Sequence, residues 1–274
     1  MTYPVTDARM VTQGGAVTGT SLPTTLTASG IPHAVGAWAE LIASAPFNVT
    51  GIVLMLCGST ATASTARAIL CNIGIGVGGS ERVLVPSILL GCASGPRAHY
   101  FPIKVPAGSR ISAQIQASVP SDTATVQVYL TGGGWSPPDA GSRATAYGAV
   151  LGTSSGTLLT AATGANAKSA FTPLDVATAN PLRWATVCLG GPTDEATWTN
   201  RTALVDVAYG PPGSEQPLVE NLACSWSTSE SFNGNPITVP CSLPAGTRLA
   251  ARYQVDALSG APTERPTVVV IGVD

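Results

Sequence analysis

The sequence predicts an all-β protein built as two tandem antiparallel β-sandwich domains, jelly-roll-like and related by internal duplication. Three observations predict it. Of 274 residues, 45% are hydrophobic and only 10% charged, with 30 Gly and 22 Pro. Such a mixture favours strands and turns, because β-branched side chains suit pleated surfaces while Gly and Pro punctuate them. Second, apolar residues alternate. In "RISAQIQ", Ile111, Ala113 and Ile115 share one parity while Arg110, Ser112, Gln114 and Gln116 share the other. Third, "VPAGSRISAQIQASV" at 105–119 returns as "LPAGTRLAARYQVDA" at 243–257.

Taken in order, the first dozen or so residues lie outside the clearest repeat and are expected to form an arm. Residues 33–45, "HAVGAWAELIASA", show some helical periodicity through Val35, Trp38, Leu41 and Ile42, but Gly36 and a missing cap leave an extended strand equally open. Strands are expected near 51–57, 67–76, 81–90, 98–105, 110–116 and 124–130. Their counterparts fall near 182–190, 201–209, 216–223, 236–242, 248–255 and 266–273. Short strands with turns every eight to fifteen residues read as a sandwich or jelly roll. "TGGGWSPPDAGSRATAYGA" at 131–149 reads as a linker. The domains are therefore 1–135, the first repeat with its arm, and 136–274, the second repeat.

The repeat has signature turns. Gly79-Ser80-Glu81 corresponds to Gly213-Ser214-Glu215, 134 positions on, and Pro106-Ala107-Gly108 with Arg110 corresponds to Pro244-Ala245-Gly246 with Arg248, 138 positions on. Pro presets φ and Gly admits φ > 0, so each reads as a tight turn. After a Gly-Ser turn, Glu81 and Glu215 are placed to accept backbone N–H bonds.

Several function classes are excluded by composition. A net charge of −2 without a basic run marks no nucleic-acid footprint. The longest apolar run, "GIVLMLC" at 51–57, is far short of a membrane span. The N-terminal stretch shows no secretory pattern, so a soluble chain made in a cytoplasm is expected. No CxxC pair points to zinc among the six cysteines. Cys57 and Cys188 fall at matching places, and Cys92 and Cys224 nearly so. They are either buried small hydrophobes or one disulfide per copy, formed after the protein leaves a reducing compartment.

The chemistry-bearing residues do not assemble into a known catalytic pattern. His33 reads as a turn residue and His99 as a surface or edge histidine, and no G-x-S-x-G elbow occurs. "GIGVGG" at 74–79 lacks a following helix and reads as a hairpin rather than a phosphate loop. No cofactor or metal is expected, and the chain is not expected to be an enzyme. Trp135, Trp184, Trp198, Trp226 and Tyr147 are placed in or near loops. Exposed on one face, they would make a stacking platform, the basis of an alternative reading as a pair of carbohydrate-binding modules on a receptor-binding fibre.

The stretches "GIPHAVGAWAELIAS", "IGIGVGGSERVLVPSILLG", "HYFPIKVPAGSRISAQIQAS" and "VQVYL" together resemble a module found in structural proteins of tailed bacteriophages. The resemblance covers most of 29–130. The second copy keeps the two signature turns and loses the opening. It implies a virion component made in a host cytoplasm: a head decoration protein, or a neck, collar or tail-associated protein. Its partners would be other virion proteins and further copies of itself. Low charge fits surfaces that become interfaces.

Overall fold

The computed structural model describes 23–59, 68–90, 96–132, 140–192, 199–228, 232–257 and 264–274, together with the backbone of 11–14. These residues form strands and one short 3-10 turn, Leu151–Thr153. The strands of the first half are β1 (Val11–Gly14), β2 (Thr24–Thr27), β3 (Ala39–Ile42), β4 (Val49–Ser59), β5 (Ile69–Ile75), β6 (Arg82–Leu89), β7 (Arg97–Phe101), β8 (Ile111–Ala117) and β9 (Thr123–Gly132). Those of the second are β10 (Ala144–Tyr147), β11 (Ala149–Val150), β12 (Ser155–Leu158), β13 (Thr172–Asp175), β14 (Leu182–Gly190), β15 (Arg201–Tyr209), β16 (Gln216–Trp226), β17 (Phe232–Gly234), β18 (Ile237–Leu243), β19 (Leu249–Val255) and β20 (Thr267–Val273).

Two sheets arise from each half. In the first half, one runs β1-β9-β4-β7 with β2 also on β9, and the other runs β3-β8-β5-β6. In the second half, one runs β11-β12-β20-β14-β18 with β10 also on β20, and the other runs β13-β19-β15-β16-β17. Nine strands of each half share one topology, and the second half adds β11 at the edge of one sheet and β17 at the edge of the other. Each is a jelly roll, in which the chain crosses repeatedly between two facing sheets. The helix considered for 33–45 does not form; its chain is extended and ends in β3. The expected domain boundary at 135/136 lies outside the described residues, as do residues 1–10 of the expected arm. Val11–Gly14 pair with β9 just as Ala144–Tyr147 pair with β20.

Alternation sorts the side chains. In the first sandwich, Ile52, Leu54 and Leu56 of β4 and Val126, Val128 and Leu130 of β9 point inward and are fully buried. In the second, Ala185, Val187 and Leu189 of β14 join Val268 and Val270 of β20 in its own core. The opposite parity of those strands is buried as well. Cys188, Val269, Ile271 and Val273 belong to the first sandwich's cluster. The outer face of the β20 sheet is thus laid against the first sandwich, along β6 and β7. β20 reads "TVVVIGV" for this reason: a strand buried on both faces has no need to alternate.

Candidate functional site

The repeat signature folds into the same small structure twice. In the first copy, Gly76 (φ 127°) and Gly79 (φ 82°) turn β5 into β6, and Gly108 (φ 82°) leads into β8. Gly210, Gly213 and Gly246 take the same positive φ in the second copy, a region a Cβ disfavours. Arg110 at the head of β8 donates from Nη1 to Glu81 Oε1 at 2.6 Å and from Nε to Glu40 at 2.7 Å. Arg248 donates to Glu215 Oε1 at 3.0 Å and to the Gly210 carbonyl at 3.2 Å. Glu215 also accepts the Gly213 N–H at 2.9 Å. Burial alone would raise the Glu81 carboxyl, but the Arg110 and backbone hydrogen bonds outweigh it and hold it below the usual range. Backbone hydrogen bonds come first for Glu215, which is lowered too. The signature is a clasp binding the β5–β6 turn to β8, and the β15–β16 turn to β19.

A second cluster exists only in the second sandwich. Asp206 of β15, nearly buried, accepts Lys168 Nζ at 2.6 Å, Arg252 Nε at 2.9 Å and the Asn221 N–H at 3.0 Å. Arg252 lies over the Phe171 ring, 4.4 Å from its centroid. Asp206, Arg252 and Phe171 line a cleft with Glu215 and Glu220. In the first sandwich Asn72 takes the place of Asp206 and accepts the Ser87 N–H at 2.8 Å. Ser87 (φ 49°) and Asn221 (φ 55°) are the same bulge, 134 positions apart.

The seam between the sandwiches also carries buried polar contacts. Thr186 and Thr238 of the second sandwich both donate to the Tyr100 carbonyl of β7, at 2.9 and 2.8 Å. Arg97 donates to Leu90 O at 3.3 Å and to Phe232 O, with its guanidinium 5.0 Å from the Phe232 centroid. His33 Nδ1 meets Ser154 Oγ at 3.0 Å, and Gln116 donates to Leu151 O at 2.9 Å.

Three readings of the sequence are corrected here. His99 is not at the surface: it is 1% exposed, with burial and the neighbouring Arg97 charge pushing its pKa down to about 4. It sits on the inward parity of β7, where Arg97, His99 and Phe101 alternate with Ala98 and Tyr100. Of the two readings left open for the cysteines, the bridge between Cys188 and Cys224 is not made, and both are buried small side chains. Both are free thiols in different cores, on opposite sides of the β20 sheet. Burial pushes each to about 12, which keeps it protonated and inert. Cys57 is free too, and Cys92 lies outside the described residues. Strand register also sets Met55, not Cys57, in the place of Cys188: Met55 pairs with Gln127, and Cys188 with Val269 at the equivalent position of β20. Finally, Trp226 and Tyr147 lie on strands and are 2% and 1% exposed, and Trp184 of β14 packs half-buried at the seam. Neither Trp226 nor Tyr147 can serve as a stacking platform; Trp135 and Trp198 lie outside the described residues.

No protein-family model matches the sequence, and no curated protein does. Solved structures resemble it in fold. The STIV MCP, a viral major capsid protein, aligns over 96% of this chain and 95% of its own at 10% identity and TM-score 0.36. PNGase F, a glycosylasparaginase from Flavobacterium meningosepticum, aligns over 96% of both chains at 11% identity and TM-score 0.38. PNGF-II aligns over 97% of this chain and 65% of its own, at 8% identity and TM-score 0.38. The expectation that the chain is not an enzyme is corrected by the two PNGase likenesses.

Proposed function

We propose that this chain is a structural component of a virus particle, working through protein–protein contacts. The observation that carries the reading is the way its outer surfaces are divided. One sheet face of the second sandwich is already committed to the seam, while the described strand residues of the equivalent face of the first point no charged side chain outward, with exposed Lys104 following β7 at the margin. The ion pairs instead stitch turns to strands on the other sheets. The resemblance of 29–130 to a module of tailed-phage structural proteins supports a virion and, more finely, a head decoration or a neck, collar or tail-associated position. Other virion proteins and further copies of the chain are the partners this implies.

Mass spectrometry of purified particles encoded with this gene should find the chain in a fixed stoichiometry to the major shell or tail protein. Imaging of the same particles should show paired jelly rolls at one repeated position. Absence of the chain from washed particles that are otherwise complete overturns the reading.

A further inference from the structure

The open sheet of the first sandwich has a composition that solvent exposure alone does not call for. Its outward parity carries Val53, Met55 and Cys57 on β4, Thr125, Gln127 and Tyr129 on β9, and on β7 a Tyr100 ring that crosses Gly51. These side chains are partly buried. Among the described residues of β2, β4, β7 and β9, none that points outward is charged; Arg97 and His99 point inward. The charged clusters, Glu40 with Arg110 and Glu81, and Asp206 with Lys168 and Arg252, all sit on the other sheets. Protein interfaces are depleted in Lys, Glu and Asp, and enriched in Tyr and Met, in this way.

We infer that this face is a docking surface for the same face of a second copy of the chain, giving a two-fold dimer. Three observations select that occupant. A face without charges meets itself without repulsion, as a self-complementary two-fold contact requires. Its size fits a weak, reversible contact: the four residues of β2, eleven of β4, five of β7 and ten of β9, at about 3.4 Å per residue in lanes about 4.8 Å wide, project roughly 490 Å². A standard stable interface takes about 800 Å² of accessible surface per partner. The face is also continuous with an interface already in place, since β7 forms its margin and hands the Tyr100 carbonyl to Thr186 and Thr238. The same topological face of the second sandwich is the one buried at that seam.

This inference rests on the reading of the chain as an assembly protein, and its test separates the two. Sedimentation equilibrium of the full chain should show a reversible monomer–dimer equilibrium. Gln127→Lys and Gln127→Glu, each at a half-exposed position, should weaken it at least tenfold while leaving the thermal midpoint within about a degree. Mixing the two variants should restore dimer, because the opposite charges then face each other. A wild-type chain that stays monomeric at 100-fold the expected working concentration overturns the inference, as does dimerisation unaffected by both variants. So does growth past the dimer to rings or filaments, which marks a head-to-tail contact. Presence of the chain in particles would stand through any of these outcomes. Its absence would sink the functional reading while the equilibrium is still measured.

Discussion

The strands β9 and β20 occupy the same place in the two sandwiches and bury the same inward residues, Val126 and Val128 against Val268 and Val270. Their outward residues differ. Gln127, Tyr129 and Thr131 on β9 are replaced by Val269, Ile271 and Val273 on β20. One sandwich presents a polar outer face, and the other has turned the same face into half of a core. The edge that receives it has changed in parallel. β6 is "RVLVPSIL", nearly all apolar, while its counterpart β16 alternates through Glu220 and Asn221. After duplication, therefore, only one of the two possible face-on-edge contacts was made apolar. The fused pair closes on itself once and leaves one sheet free.

The sharpest way to break that comparison is a charge at equivalent positions. Ile271→Lys places an unpaired ammonium inside the seam and should cost about 4 kcal/mol. Tyr129→Lys, the same position of the first copy, should stay within about 0.5 kcal/mol in chain diluted to monomer, as surface changes do. Urea denaturation of both variants measures the contrast. Equal losses would mean that the β9 face is as buried as the β20 face in solution.

Next in size is the effect of pH through His99. Strand register pairs His99 with Leu54 and Ile237 with Val187, so isoleucine holds the equivalent place. Burial holds the folded pKa at about 4, below histidine's ordinary 6.5. Between those values the unfolded chain binds a proton that the folded chain refuses. Stability should therefore fall as pH drops from about 6.5 to 4, by about 3 kcal/mol, and change no further below that on this account. His99→Ile should flatten this limb. An unchanged acid limb in the variant would assign it to other groups.

Much of this was legible in the sequence, for reasons particular to each element. Strands β4–β9, β14–β16 and β18–β20 fall within a few residues of their expected places because alternation and Gly-Pro turns mark them twice over, whereas β10 and β11 form inside the stretch read as a linker, and the short β12, β13 and β17 carry no such marks. The signature residues announced themselves by recurring, although their partnership did not. Glu81 and Arg110 are 29 positions apart, and nothing local says that a turn and a strand head meet. His99 was misjudged because "HYF" carries no mark of parity; only the ladder with β4 fixes which side it takes. The cysteine matching failed for a different reason: Met55 and Cys57 share one face of β4, so parity does not tell them apart, and only the ladder with β9 sets Met55 in the place of Cys188. The seam was written in "TVVVIGV", whose loss of alternation was there to be read, but composition alone could not name the surface it meets.

Smaller again is a steric exchange between copies. Gly74 lies under the Trp38 ring, where an added Cβ would come within 2.6 Å of it. The same positions in the second sandwich hold Ala208 and Phe171, both lining one cleft. The smaller ring tolerates the methyl, and the larger requires glycine. Gly74→Ala should destabilise by about 2 kcal/mol through overpacking, and adding Trp38→Phe should recover most of it. A double-mutant cycle measures the coupling. Purely additive losses would show that the ring simply moves aside.

The smallest expected effect belongs to Asp206, where the second copy has put a charge in the place of Asn72. Desolvation pulls its pKa upward, but Lys168, the Asn221 N–H and Arg252 together outweigh that and hold it below the ordinary carboxylate value. A carboxyl depressed in the folded state contributes stability that is present above the unfolded pKa and lost as pH falls through the folded one. Asp206→Asn keeps an acceptor for the bulge N–H, as Asn72 does for Ser87, and gives up only the two cations. Both cations keep about 30% of their side-chain surface in water, which screens the loss to about 1 kcal/mol at neutral pH. Below both pKa values the variant and the parent should converge, because a protonated carboxyl has no more claim on Lys168 and Arg252 than an amide has. Thermal melts at pH 7 and pH 2 decide it: a gap of the same size at both would make Asp206 a packing residue, and the asymmetry between the copies at this site a matter of shape.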